Sequence, residues 1–216
     1  TNNEIPKKGS VLISDPFLND PYFGRSVVIL CEHNDDGTFG FVLNNFAELD
    51  LHKIDDKFPD INAKIGFGGP VSKDSLFFIH AFGKEVDNCL QIQKNLYYGG
   101  DFDQICAILK KNPEAKEKIR FFIGYSGWDK DQLDDELIKN SWITVNNVDH
   151  ELILDTSLDE ERLIILFSNS ITVVLRFFLA ELTAISKPIK PAPIIASELF
   201  LLSGDFNFNE SSIVRR

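Results

Sequence analysis

The sequence predicts an α/β fold of the α+β type, in which a mixed β-sheet is flanked by helices. Apolar runs at residues 9–14 and 26–33, each bounded by turn residues, have the length and composition of buried strands. Residues 101–111 instead have the apolar spacing of a helix that packs on a sheet. Strand and helix patterns are interleaved without a regular βα period and include at least one hairpin, which favours a mixed sheet over a doubly wound parallel one.

The N-terminal half contains the predicted hairpin. The turn sequence at residues 34–37 separates apolar segments at 27–32 and 39–43, and this arrangement predicts two antiparallel strands. A polar loop with two prolines at 15–21 precedes the hairpin. The Gly-Phe-Gly-Gly-Pro sequence at 66–70 predicts a sharp bend that leads into a strand at 76–82.

The predicted helix in the middle of the chain begins after Asp101, which is a good N-cap residue, and continues through Lys111. An apolar strand at 119–124 follows and stops at a Gly-Tyr-Ser-Gly-Trp turn, residues 124–128. A second helix, capped by Asp129, is predicted directly after this turn. Further strands are predicted at 142–145 and 152–154, and a further helix is predicted to begin at Ser157.

The composition changes near residue 160, which predicts an α/β domain at 1–160 and an atypical C-terminal region at 161–216. Residues 163–185 are apolar, but Asn169, Arg176 and Glu181 interrupt them. Each charge near a bilayer centre costs about 2.5–3.5 kcal/mol, so no transmembrane segment is predicted. A Pro-rich connector at 187–193 and a frayed tail complete this region.

Charge and cysteine content limit the classes of partner and compartment. The chain has 22 Lys and Arg against 33 Asp and Glu, a net charge of -11. This charge repels the phosphate backbone, so direct nucleic-acid binding is disfavoured. The first nine residues lack a secretion-signal pattern, and the three cysteines have no ligand spacing and are expected to be buried free thiols. We therefore expect a cytoplasmic protein.

Several sequence blocks, taken together and in order, resemble the AlgH/YqgE family of bacterial proteins. The blocks are Gly9-Ser-Val-Leu-Ile-Ser-Asp-Pro16, Asp20-Pro-Tyr-Phe23, Arg25-Ser-Val-Val28, Glu32-His33, Gly40-Phe-Val-Leu-Asn44, Gly68-Gly-Pro-Val71, Leu76-Phe-Phe-Ile-His80, Gly99-Gly-Asp101, Phe121 to Trp128, Gln132-Leu133, Glu136 and Trp142. The resemblance covers residues 9 to about 155. From Ile164 onward the chain departs from the family's pattern, which predicts a divergent or replaced C-terminal region.

The family resemblance implies a compact mixed α/β fold with a smaller α/β lobe. It supplies no catalytic residues, because the family has no established biochemical activity. Its members often inherit the label of transcriptional regulator from one protein named for an effect on alginate gene regulation. The resemblance therefore implies a non-catalytic regulatory or binding module more readily than an enzyme.

The alternative from a different functional class is a hydrolase centred on Ser126. A nucleophile elbow requires Gly-x-Ser-x-Gly, and here Trp128 stands where the second glycine is needed. A serine nucleophile also requires a base, for which His33 and His80 are the candidates. The competing structural interpretation is that Ser126 bonds locally to the backbone and Trp128 packs as a lid. Because Cys31 and His33 supply only two ligands on one strand face, no metal site is predicted. No cofactor is predicted either, because the glycine-rich sequence at 66–70 lacks the known phosphate-binding motifs.

The sequence also predicts a polar-aromatic patch that binds a ligand or partner. Its members are expected at strand ends or turns, and such positions carry function more often than element interiors do. If those ends meet, one continuous surface results. The candidate residues are Asn44, Gly68, Gly69, His80, Ser126, Gly127 and Trp128.

Overall fold

The computed structural model describes residues 4–47, 51, 58, 59, 61 and 63–158. The described strands are β1 (Val11–Ser14), β2 (Val27–Asn34), β3 (Gly37–Val42), β4 (Phe46–Ala47), β5 (Ile65–Phe67), β6 (Val71–His80), β7 (Leu90–Gln93), β8 (Leu96–Tyr98), β9 (Ile119–Trp128) and β10 (Trp142–Val145). The described α-helices are α1 (Phe102–Lys111), α2 (Gln132–Ile138) and α3 (His150–Leu154). Short 3-10 helices lie at Gly83–Glu85 and Pro113–Lys118.

The strands form one mixed sheet in the order β10-β1-β2-β3-β9-β6-β8-β7. Neighbours along this path are antiparallel, whereas β5 runs parallel to the first part of β9. β9 belongs to both parts of the sheet. Its beginning pairs with β5 and β6, and its last three residues pair with β3. The sheet therefore has two halves, one built on β10 and β1–β3 and the other on β4–β8.

Three apolar clusters show how the halves are layered. The first joins Ile29 of β2 to Ile79 of β6 and Phe122 of β9, so the two halves face each other across it. The second lies between α1 and the half built on β4–β8, and the third lies between α2 and strands β1–β3. Because β1 and β2 are covered on both faces, they read as continuous apolar runs in the sequence rather than as alternating ones.

Several predicted elements are confirmed. The hairpin of β2 and β3 forms with Asn34 opposite Gly37. α1 begins after Asp101, whose side chain accepts a hydrogen bond from the Gln104 amide at 3.0 Å. The strand predicted at 142–145 is β10. The predicted helix at Ser157 and the predicted features from 159 onward lie outside the described residues.

Three predictions were wrong, and one pair of strands was missed. α2 does not have Asp129 as its N-cap, because the helix begins after Asp131, whose φ is +63°. The Gly-Tyr-Ser-Gly-Trp sequence is not a turn, because β9 continues through it and pairs with β3. Residues 152–154 are helical, because Asp149 accepts a hydrogen bond from the Glu151 amide at 3.0 Å and caps α3. The missed hairpin of β7 and β8 turns at Asn95, whose φ is +61°.

Candidate functional site

Asn44 anchors the loop that connects β1 to β2. Its side-chain Nδ2 donates to the Arg25 carbonyl at 2.7 Å, and its Oδ1 accepts from the Val27 amide at 2.9 Å. Arg25 itself has a φ of +62°, a conformation that is costly for a residue with a side chain. The side-chain amide of Asn44 therefore fixes the end of this loop next to β2.

Gly68 and Gly69 let two chain segments approach each other closely. A Cβ on Gly68 would lie 2.3 Å from the Gly124 carbonyl oxygen, and one on Gly69 would lie 2.3 Å from the Tyr125 carbonyl oxygen. Both distances are shorter than any real Cβ contact, so only glycine can occupy these positions without a shift of the backbone. The two glycines thus place the start of β6 directly against β9.

Ser126 is part of this close approach. Its hydroxyl donates to the Gly68 carbonyl at 2.8 Å, and its side chain is fully buried. The same carbonyl also accepts from the Val42 amide at 2.9 Å. The hydroxyl therefore joins the backbones of β9 and the segment before β6 and does not face solvent.

Trp128 lies in the core and not over the surface as a lid. Its indole Nε1 donates to Glu136 Oε2 at 2.9 Å, and Trp142 Nε1 donates to the same oxygen at 2.7 Å. Phe23, from the loop after β1, stacks on Trp128 with ring centroids 5.8 Å apart. Gly127, between Ser126 and Trp128, is exposed. Of the predicted patch, residues 126–128 thus contribute one exposed glycine and two buried side chains.

His80 does not belong to the predicted patch. It pairs with Ile119 at the start of β9, whereas Ser126 lies seven residues further along that strand, roughly 20 Å away at the usual rise per residue. The imidazole is fully buried between the rings of Phe82 and Tyr97. The expectation that these strand ends meet is wrong for His80, because β6 runs antiparallel to β9 and carries it to the opposite end.

The contacts of His80 define a neutral ring. The Phe82 amide donates to Nδ1 at 3.2 Å, so the ring hydrogen lies on Nε2, which is 3.0 Å from the Gly99 carbonyl. Burial lowers the pKa of His80, and the hydrogen bond to Gly99 partly opposes this shift. His80 therefore serves the packing of the β6–β8 end and gives Ser126 no base.

The Cys31–His33 strand also has structural roles. Cys31 is fully buried, and burial raises the pKa of its thiol well above the ordinary value. His33 Nδ1 lies 2.6 Å from the Thr38 hydroxyl, and Glu32 accepts from the Tyr98 hydroxyl at 2.6 Å. Within the described part of the chain, no three His, Cys, Asp or Glu side chains are grouped so that they could hold a metal ion.

The start of β6 carries an exposed bulge that sequence reasoning missed. Between the pairs Val71–Tyr125 and Leu76–Ile123, four residues of β6 oppose the single residue Gly124. Ser72 in this bulge has a φ of +50°, and Gly124 has a φ of +67°. A bulge re-aims side chains and is frequent beside functional sites. No local sequence signal marks it, since it arises from pairing with a strand about fifty residues away.

Tyr22 and Lys73 meet on the surface beside this bulge. The Lys73 ammonium lies 4.9 Å from the centroid of the Tyr22 ring and 3.4 Å from its hydroxyl. Tyr22 is 52% exposed and Val71 is 37% exposed. We call the surface formed by residues 15–25, Asn44, 68–75 and 124–128 the rim. The rim contains six of the seven predicted patch residues, but its exposed side chains include Phe17, Tyr22, Val71 and Lys73, none of which was predicted.

Comparisons with known proteins agree with the fold. The AlgH-like family model (DUF179) matches residues 11–163. A UPF0301 protein of Cytophaga hutchinsonii is 43% identical over 137 residues, which cover 63% of this chain and 75% of the relative. A UPF0301 protein of Chlorobaculum parvum is 34% identical over 152 residues, which cover 70% of this chain and 81% of the relative.

Two solved structures are similar to this chain. The solution structure of the AlgH protein from Pseudomonas aeruginosa has a TM-score of 0.56 and 27% identity, covering 89% of this chain and all of that one. The crystal structure of protein DIP2367 from Corynebacterium diphtheriae has a TM-score of 0.65 at 20% identity, covering 80% of this chain and 92% of that one, and shows likeness of fold alone. Among the described residues, no helix has the length and apolar character needed to cross a membrane. The family match and these relatives together show that the chain belongs to the AlgH-like (UPF0301) family.

Proposed function

We propose that this protein is a non-catalytic binding module whose contact surface is the rim. The observation that supports the proposal most is the exposure of Tyr22, Val71 and Lys73 on a backbone that buried hydrogen bonds hold in place. An aromatic ring with a polar tip, an aliphatic side chain and a cation are the kinds of groups that anchor protein interfaces.

Hydrogen bonds within the chain fix the part of the rim that carries Tyr22. Asp20 Oδ1 accepts from the amides of Tyr22 and Phe23, each at 2.8 Å, and so fixes the loop that presents the Tyr22 ring. Ordering flexible side chains and loops on binding costs free energy, so a surface fixed in advance binds more tightly for the same contacts. The positive φ values of Arg25 and Ser72 represent backbone strain of the kind that concentrates at functional surfaces.

The geometry gives the alternative, a Ser126 hydrolase, little support. The Ser126 hydroxyl is fully buried and donates to the Gly68 carbonyl. His80 lies at the other end of β9, and His33 is bound to the Thr38 hydroxyl. A nucleophile needs both an exposed oxygen and a base within hydrogen-bond reach.

A regulatory role, if the chain has one, is proposed to act through a protein partner and not through direct contact with DNA. The net charge of -11 opposes binding to the phosphate backbone. The rim contains two basic residues, Arg25 and Lys73, against three acidic ones, and phosphate binding requires clusters of cations. A protein surface recognised by Tyr22 and Val71 has no such requirement.

Site-specific photo-crosslinking in the native host tests the proposal. A photoreactive amino acid is placed at Tyr22 or Val71 in one set of cells and at Ile138, which is 78% exposed on α2, in the control set. We expect the two rim positions to capture one shared partner that the Ile138 position does not capture, and Lys73→Ala to reduce that capture at least threefold. Equal capture from all three positions, or none from the rim, would contradict the proposal.

A further inference from the structure

The segment after β10 is attached to the rest of the molecule in an unusual way. Residues 148–158, which we call the strap, include α3 and lie over the end of the core between the two sheet halves. The strap's main-chain hydrogen bonds are internal, from Ile153 to Asp149 at 3.3 Å and from Asp155 to Glu151 at 3.0 Å. Among the described residues, no main-chain hydrogen bond joins the strap to the sheet.

Three side chains from the sheet and its connections hold the strap by its carbonyl oxygens. Gln93 Nε2 donates to Val148, Arg120 Nη1 donates to Ile153, and Lys64 Nζ donates to Thr156, each at 2.8 Å. The side chains of Val148, Ile153, Leu154 and Leu158 complete the attachment by packing into the first apolar cluster. Detachment of the strap would break these contacts but no pair of strands.

Arg120 is the central one of these three donors and the most deeply buried. Its guanidinium also donates to the Leu43 carbonyl and lies between the rings of Phe46 and Phe122, 5.3 and 5.5 Å from their centroids. The side chain is only 2% exposed, and both of its hydrogen-bond acceptors are neutral carbonyls, while the Asp155 carboxylate of the strap acts on it through space. A buried charge without a directly bound counter-charge raises the free energy of the folded state. If the strap moved away, water could solvate the guanidinium again, and this would offset part of the free energy of the lost contacts.

Two further observations indicate a separable element. Asn147, immediately before the strap, has a φ of +59°, and the preceding Asn146 is hydrogen-bonded to Glu4 and Ser10, so the chain is anchored directly before the strap begins. A cleft of about 620 Å³ lies along one side of the strap and is lined by Glu151 and Asp155 of the strap and by Asn95, Glu117 and Lys118. The strap is therefore packed against the sheet on one side and bordered by open space on another.

We propose that the strap opens as a unit, independently of global unfolding, with Arg120 as its latch. Opening uncovers the apolar end of the core between the sheet halves together with the Arg120 guanidinium. In the sequence, residues 159–216 follow the strap directly. Arg120 is in this view a positioning residue that couples the strap to the β3 end beside Asn44.

Native-state hydrogen exchange of the full chain in increasing denaturant tests the proposal. The strap reporters are the hydrogen-bonded amides of Ile153 and Asp155, and the core reporters are Leu12 and Val28 in the β1–β2 pair. We expect the strap amides to exchange at least tenfold faster than the core amides, with a weaker dependence on denaturant. If the strap amides and the core amides exchanged at the same rate and with the same dependence on denaturant, the proposal would be overturned.

Two variants test the latch separately. Arg120→Lys keeps the charge but cannot bridge two carbonyls with a planar fork, and we expect it to raise strap exchange at least tenfold relative to the core reporters. Lys64→Ala is the matched control, because Lys64 bonds to the strap from an exposed position, and we expect less than a threefold change. Equal acceleration of strap and core by Arg120→Lys would refute the latch. If that variant does not fold, the wild-type comparison still decides whether the strap opens alone.

Discussion

Replacement of Glu136 is the sharpest test of how the end of β9 is held. One oxygen of this carboxylate accepts from the indoles of both Trp128 and Trp142, and the other accepts from Gln132 Nε2 at 3.0 Å. Both indoles are only 4% exposed, so neither has ready access to water. Glu136→Ala removes the shared acceptor and leaves two nearly buried donors without it.

The expected magnitude follows from those contacts. Hydrogen bonds to a charged group contribute about 1.5–3 kcal/mol each, and a buried donor left unsatisfied costs about 1–3 kcal/mol. Glu136 is itself half-buried, so water can enter once the side chain is removed, which favours the lower end of these ranges. We therefore expect Glu136→Ala to reduce the free energy of unfolding by about 3–4 kcal/mol. Glu136→Gln retains one carbonyl acceptor for both indoles and is expected to cost about 1–2 kcal/mol.

Urea denaturation followed by tryptophan fluorescence provides the assay. The chain has only two tryptophans, and both contact Glu136, so the emission reports on this cluster directly. Trp142→Phe alone and with Glu136→Ala completes a double-mutant cycle, for which we expect a coupling energy of at least about 1 kcal/mol. A Glu136→Ala variant within about 1 kcal/mol of wild type, with no coupling to Trp142, would show that water replaces the carboxylate and that the reasoning is wrong.

Three further predictions concern the rim and the buried histidine. Gly69→Ala places a Cβ 2.3 Å from the Tyr125 carbonyl oxygen and should reduce the free energy of unfolding by about 2–4 kcal/mol. The control Gly99→Ala has nothing within 4 Å of its Cβ and should lose about 1–2 kcal/mol, the cost of its positive φ alone. Equal losses of stability in thermal or chemical denaturation would contradict this prediction. Ser126→Ala should reduce the free energy of unfolding by about 0.5–1.5 kcal/mol, because the Gly68 carbonyl keeps its hydrogen bond from the Val42 amide. A fluorophosphonate probe should not label Ser126 in the wild-type protein. Stoichiometric labelling would restore the hydrolase interpretation. Because the pKa of His80 is lowered in the folded protein, the unfolded chain binds a proton on this histidine first as the pH falls. The contribution of His80 to the free energy of unfolding is therefore complete above the unfolded pKa of about 6.5. It is lost as the pH drops from that value towards the folded pKa. His80→Asn should flatten that acid-side slope in denaturation measured from pH 8 to 5.5, and an unchanged slope would assign it to other groups.

The sequence by itself identified the elements whose signals are local. The hairpin of β2 and β3 depends on a turn sequence between two adjacent apolar runs, and α1 depends on Asp101 followed by helical spacing. Each signal lies within about a dozen residues of the chain, where periodicity and capping act. Ordered blocks of sequence also identified the family, which the comparison confirmed.

The tertiary structure decided what the predicted site consists of. Residues 124–128 have a turn composition but remain extended, because Thr38 to Gly40 of β3 pair with the end of β9. Gly68 follows β5, whose parallel pairing with β9 leads it to Ser126, whereas the antiparallel pairing of β6 with β9 carries His80 to the opposite end of the sheet. Tyr22 and Lys73, the exposed contact of the rim, are 51 residues apart in the sequence. Strand register is set by packing between distant segments, and local sequence patterns contain no information about which distant residues that register brings together.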